Sequence, residues 1–254
     1  MKLTLNDFFQ LTKIRLALSV VFSSLAGYFL AAESINIRSI LLLFVGGYAM
    51  VGASNAFNQL IERDRDSLMN RTSDRPLPRK RISPSQALFI GIFLSALGIG
   101  TLYLINLKTA IIGIISICLY VFTYTPLKIK TPLSVFVGAI PGAIPYMLGW
   151  VAYTNDFGIE PGILFLFQFF WQFPHFWALA WMFDKDYKKA GFKMLPTGKT
   201  DNASAFQVVF YSFWTVAISL LPMTKYTGDL NLTPFGGTLV FTCGLGLLFF
   251  AFKL

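Results

Sequence analysis

Asn58, Glu62 and Asp66 stand four residues apart in the stretch NQLIERDRDSLMNRTSDRPLP, which closes a long apolar run. On a helix each step of four advances about 6 Å along the axis and about 40° around it, so the three side chains form one stripe. Hard oxygen ligands in such a stripe suit Mg²⁺, which keeps several waters and is shared between one or two carboxylates and a substrate phosphate. Asp64 and Asp74 lie in the same stretch, interleaved with Arg63, Arg65, Arg71, Arg75, Arg79, Lys80 and Arg81. A solvated, self-neutralising loop has this make-up too.

A second cluster distinguishes the two readings. Phe173 to Pro196, FPHFWALAWMFDKDYKKAGFKMLP, again delivers acids (Asp184, Asp186) and bases (Lys185, Lys188, Lys189, Lys193) where an aromatic-rich run ends. Two carboxylate clusters with bases beside them make a diphosphate clamp: metal and guanidinium stabilise a departing diphosphate and lower the barrier to breaking its C–O bond. Asp184 and Asp186 are two apart, about 200° around a helix, so either the helix ends there or only one is a direct ligand.

Gln168, Gln172, His175, Leu179, Met182 and Asp186 follow a 4-3-4-3-4 spacing and are expected on one helix face, with Pro174 kinking the helix. His175 is the only histidine. It reads either as a hydrogen-bonded structural residue or as a contact to the acceptor or a ligand to the acceptor's metal. Lys13 and Arg15, and Tyr124, Lys128 and Lys130 in YTPLKIKTP, could reach the same basin; anchoring at a membrane surface explains them equally.

The elements that must position these groups are membrane helices. Hydrophobic residues make up 55% of the 254 and charged residues 13%, with a mean hydropathy of +0.62, far more apolar than a soluble domain of this length. Eight segments are long enough to cross the hydrocarbon core, at about 14–32, 39–57, 87–106, 109–125, 133–153, 160–182, 204–222 and 234–252. No linker or low-complexity tract divides the chain, so residues 1–254 read as one all-α, polytopic transmembrane bundle.

Of the 21 Lys and Arg, 18 fall on one side: before span 1 (Lys2, Lys13, Arg15), in the 2/3, 4/5 and 6/7 loops, and at the C-terminus. The positive-inside rule puts that side, with both termini, in the cytoplasm. The net charge of +9 is therefore a topology signal; no exposed basic module exists to bind nucleic acid. Cys118 and Cys243 both lie in apolar spans, which argues against a structural disulfide.

The first acidic stretch resembles the first Asp-rich motif of the UbiA-type intramembrane prenyltransferases. The RT-x-x-RPLP tail and PHFWALA resemble the branch of that family that farnesylates protoheme IX, and TPLSVFVGAIPGAIPYMLGW is similar to its fifth span. The resemblance runs from about Thr12 to Pro196. It implies a helical bundle in the inner membrane with a central lipid-side cavity capped by cytoplasmic loops. Farnesyl diphosphate, held through Mg²⁺, would alkylate a vinyl group of heme B, and water would complete the hydroxyethylfarnesyl side chain of heme O. By position, Asn58, Glu62, Asp66 and Asp186 match the catalytic ligands, with Asp64 and Asp184 as further acids. Arg71, Arg75 and Lys189 match diphosphate contacts and His175 the branch's histidine, while Lys13, Tyr124 and Lys128 stand as substrate-binding candidates from their place at the same basin. Heme A synthase and terminal oxidase assembly factors are the implied protein partners.

Three departures stand out. Glu62 occupies a position where the family has Asp, Lys185 separates acids that the family pairs, and eight spans are visible where nine are expected. The last predicts a truncated chain or a natural short form. Competing readings are prenyl transfer to an aromatic quinone precursor or chlorophyll-like ring, and a heme-binding assembly factor without catalysis. A cation transporter would show ionisable residues at mid-membrane and an inverted repeat; instead the acids cluster at one interface, His175 alone sits deeper, and no repeat is seen.

Overall fold

The computed structural model describes residues 4–254; the basic residue Lys2 lies outside them. A short surface helix, α1 (Leu5–Thr12), precedes the first span, α2 (Ile14–Ala31). Then come α3 (Ile37–Asp66), α4 (Pro84–Tyr103) and α5 (Leu107–Cys118), which continues through a π-helical turn (Leu119–Tyr124) into α6 (Thr125–Leu127). The second half holds α7 (Ser134–Thr154), α8 (Ile159–Met182), the short α9 (Asp184–Lys189), α10 (Asn202–Ser219) and α11 (Pro234–Ala251). Eight of these helical segments are long and apolar enough to cross a membrane, each within a few residues of its expected place except α3.

The starts of the spans follow from local side-chain chemistry. Asn36, Asn106, Asp201 and Thr233 each accept a hydrogen bond from a first-turn backbone N–H, at 3.1, 2.8, 2.9 and 3.1 Å. Ser83 and Gln86 form a reciprocal capping box before α4, with Pro84 at its first position. α3 runs nine residues past the apolar segment, so the acidic motif rides on a rigid helix that leaves the membrane. α8 is continuous through Pro174.

α2 and α7 come into backbone contact at two glycines. A Cβ at Gly27 would overlap the Tyr146 carbonyl, and one at Gly149 would overlap the carbonyl of Ser24. α3 packs on α4, α7 on α8, and α8 on α10, the last through Phe170, Phe173 and Trp177 against Tyr211. One end of the bundle gathers α1 and the 2/3, 4/5 and 6/7 loops. At the other, Tyr153 Oη accepts from Glu33 N at 3.0 Å and Lys108 Nζ donates to Asn155 O at 2.7 Å.

Candidate active site

Four other segments meet the end of α3. Two buried amides one turn apart fix the N-terminal segment to it. Asn55 Nδ2 donates to Thr12 O at 3.0 Å, and Gln59 Nε2 to Gln10 O and Leu11 O at 3.0 and 2.9 Å, capping the carbonyl end of α1. Lys13 follows in the left-handed conformation, φ 50° and ψ 60°, so the chain turns sharply between α1 and α2 beside the motif. Outside the motif, Arg81 Nε donates to Asp7 Oδ1 at 2.8 Å and ties the start of α1 to the 2/3 loop.

The stripe on α3 forms as its spacing requires, and it is more deeply enclosed than an interfacial motif would be. Asn58, Glu62 and Asp66 are 2%, 5% and 0% exposed. Each meets a partner beyond α3, two from the segment that follows the π-helical turn and one from the 2/3 loop. Asn58 Nδ2 donates to Thr125 Oγ1 at 3.2 Å; Glu62 Oε1 lies 2.7 Å from Lys128 Nζ; Asp66 Oδ2 accepts from Arg75 Nη1 at 2.7 Å. These acids are closed in by the chain's own cations. Asp66 Oδ1 is buried and without a hydrogen-bond partner, an arrangement that costs free energy unless a ligand meets it.

Lys128 is set by its surroundings on every side. Its Nζ lies 4.7 Å from the Tyr124 ring centre and 5.5 Å from that of Phe192, and its carbonyl accepts from Lys193 N at 2.7 Å. Burial alone would lower its pKa, but Glu62 beside it holds the ammonium above the usual lysine range. Lys13 goes the other way. Burial, with repulsion from Arg75 and Lys128, outweighs Glu62 and Asp66 and pushes it down to about 7.

The second acidic cluster docks on the first through backbone and aromatic contacts. α8 ends at Met182 and α9 restarts at Asp184, so the two acids sit in the first turn of a new helix. Asp186 Oδ2 accepts from Arg71 N at 3.2 Å, and this bond, supported by Lys189 at 3.5 Å, holds its carboxyl below the usual range. The Arg71 guanidinium lies 5.1 Å from the Phe183 ring centre and 5.8 Å from that of Tyr187. Arg65 Nη1 donates to Ala190 O at 2.6 Å. A cleft of about 490 Å³, bordered by Trp181, Phe183, Asp184, Lys185 and Asp186, opens beside this junction.

Other expected site residues fall elsewhere. Asp64 is exposed and turned toward Arg63, because two residues on a continuous helix point to opposite sides. Asp184 pairs with Lys188 at 2.6 Å on its own helix. The proposed polar face of α8 divides: Gln172 is buried, in a long 3.5 Å contact with Gly142 O, while His175 is exposed and stacked on Trp171 at 4.6 Å. Among the described residues, no three His, Cys, Asp or Glu side chains stand close enough to hold a metal unaided. That suits an ion that takes its remaining oxygens from water and phosphate. Asn58, Glu62 and the unpartnered Asp66 oxygen are the donors that fit it. Sequence reasoning missed Thr125, Asn55 and Gln59, although the amides are legible as polar residues at a four-residue step inside an apolar run.

Eight apolar spans thus carry paired acids and bases at one end of the bundle. Residues 20–254 match the model of the UbiA prenyltransferase family, and the chain belongs to that family. Protoheme IX farnesyltransferase of Christiangramia forsetii is 59% identical over 250 residues, covering 98% of this chain and 83% of the relative. The enzyme of that name from Flavobacterium psychrophilum is 59% identical over 252 residues, covering 98% and 84%. Among solved structures, one described as digeranylgeranylglyceryl phosphate synthase aligns with a TM-score of 0.79 at 21% identity, over 98% of this chain and 87% of the other. A UbiA homologue from Archaeoglobus fulgidus bound to GPP and Mg²⁺ aligns with a TM-score of 0.77 at 18% identity, over 96% and 86%. These two support the fold.

Proposed function

We propose that the chain transfers a farnesyl group from farnesyl diphosphate to a vinyl group of protoheme IX, giving heme O, and that residues 1–254 act as one prenyltransferase unit. The observation that carries this reading is 59% identity to protoheme IX farnesyltransferases over nearly the whole chain, with the acidic motif and its cations gathered at one end of the bundle. In the reaction the C1–O bond of farnesyl diphosphate breaks and diphosphate leaves with the electron pair. C1 bonds to the terminal vinyl carbon, and water adds to the resulting cation and releases a proton.

Asn58, Glu62 and Asp66 are the residues that would hold Mg²⁺, with Asp186 facing them across the 2/3 loop. When bound, the ion supplies positive charge to the departing diphosphate. The chain's own work is electrostatic. Lys128 and Arg75, held by carboxylates before substrate arrives, present ammonium and guanidinium groups to phosphate oxygens, and Arg71, Lys189 and Lys13 add charge around them. Enclosure strengthens each of these interactions and keeps water from the allylic carbon. The ring pair Trp171 and His175 offers an aromatic, nitrogen-bearing surface to a porphyrin.

The distribution of Lys and Arg supports a cytoplasmic orientation of this end in the inner membrane. The test is incubation of the chain in membranes with heme B, farnesyl diphosphate and Mg²⁺, then mass spectrometry of the extracted porphyrins. A magnesium-dependent gain of one farnesyl group plus water is expected. No gain with heme, but prenylation of an aromatic acceptor, would overturn the assignment of heme.

A further inference from the structure

Asn58 is an amide in a site that calls for oxygen, and an amide can present either end. What decides its orientation comes from a different span. Asn58 Nδ2 donates to Thr125 Oγ1 at 3.2 Å, and Thr125 Oγ1 in turn donates to Tyr120 O at 2.8 Å. The hydroxyl proton is committed to Tyr120, so the oxygen can only accept from Asn58, and only the NH₂ end can satisfy it. Asn58 and Thr125 are each 2% exposed, a setting in which a mismatched polar pair is costly.

The arrangement exists because α5 widens into a π-turn at Leu119–Tyr124. Pro126 has no N–H, and in an α-helix its ring would crowd the carbonyl of Phe122. The wider turn places Tyr120 O opposite both the backbone N–H and the hydroxyl of Thr125. π-turns of this kind are rare and frequent at functional sites. Among the described residues no donor meets Asn58 Oδ1.

We propose that Thr125 is a positioning residue: its hydroxyl, locked by the π-turn, fixes the Asn58 amide so that Oδ1 faces the metal and diphosphate. The inference rests on the prenyltransferase reading and concerns one ligand atom within it. Thr125 touches no reacting atom.

The test reads metal binding without turnover. The purified full chain in detergent, with farnesyl thiodiphosphate as an unreactive ligand, is titrated with Mn²⁺ and followed by electron paramagnetic resonance. Thr125→Val, which keeps the shape and loses the hydroxyl, is expected to weaken Mn²⁺ about tenfold. Thr125→Ser is expected to stay within about twofold of the unaltered chain. Asn58→Asp has oxygen at both ends and nothing to orient, so adding Thr125→Val to it is expected to change Mn²⁺ affinity less than about twofold. Equal losses in Thr125→Val and Thr125→Ser, or an undiminished Thr125→Val loss beside Asn58→Asp, would overturn the proposal alone. Absence of Mn²⁺ binding by the unaltered chain would overturn it together with the metal reading beneath it.

Discussion

Lys128 Nζ lies 2.7 Å from Glu62 Oε1, and the two side chains are only 10% and 6% exposed. The pair links the second span to the loop after the fourth. A carboxylate this enclosed depends on its cation: removing one partner of a buried pair typically costs about 3–5 kcal/mol. Lys128→Met is therefore expected to lower the thermal midpoint and reduce prenyl transfer at least 100-fold. The double variant with Glu62→Gln should regain most of the stability and none of the activity. Differential scanning fluorimetry and the porphyrin assay together check this.

Asp66→Asn separates charge from shape. Asp66 is fully buried and holds Arg75 at 2.7 Å, so Ala would leave the guanidinium without its acceptor. Asn keeps an oxygen for Arg75 and removes the negative charge. The expected outcome is activity below about 1% of normal with a far-ultraviolet circular dichroism spectrum unchanged, because the lost interaction is with metal and transition state. Normal turnover would remove Asp66 from the mechanism.

Lys13, pushed down to about 7, carries the pH prediction. A lysine whose folded pKa lies below its unfolded value is neutral in the folded chain above pH 7 while still charged in the unfolded chain. This group's contribution to stability therefore rises with pH from about 7 to about 10. On the proposed reading Lys13 meets diphosphate as the ammonium, so diphosphate binding runs the other way. Affinity for farnesyl thiodiphosphate is expected to fall about fivefold from pH 7 to 8, and Lys13→Arg, charged throughout, should flatten the profile. Isothermal titration at several pH values reads both.

His175 is exposed and stacked on Trp171. Its replacement by Ala should shift the thermal midpoint by no more than about 1–2 °C, as surface changes do. A structural histidine would shift it further. The KM for heme B is expected to rise at least tenfold while that for farnesyl diphosphate stays within about twofold, which steady-state kinetics with each substrate varied will show.

The eight spans were legible because each is a long apolar run, and the gathering of the acidic motifs at one end of the bundle was legible from the order of the spans. The stripe of Asn58, Glu62 and Asp66 followed from helical spacing alone. What sequence did not reveal was pairing across the chain. That Asp66 takes Arg75, Glu62 takes Lys128 and Asp186 takes the backbone of Arg71 depends on which loops meet, and loops meet through tertiary packing that no local pattern encodes. The π-turn escaped because its signal, Pro126 late in a helix, reads equally as a helix end. The polar face assigned to α8 came from spacing, which fixes an angle around the helix but not what lies opposite.

The attachment of α1 to α3 also sets an order in time. The ribosome makes residues 10–12 before residues 55–59, and these hydrogen-bond partners are 43 to 49 positions apart. During synthesis the carbonyl end of α1 has only water or lipid headgroups to satisfy it until the second span has been made and inserted. The contacts that hold the corner at Lys13 therefore form only once Asn55 and Gln59 have been made.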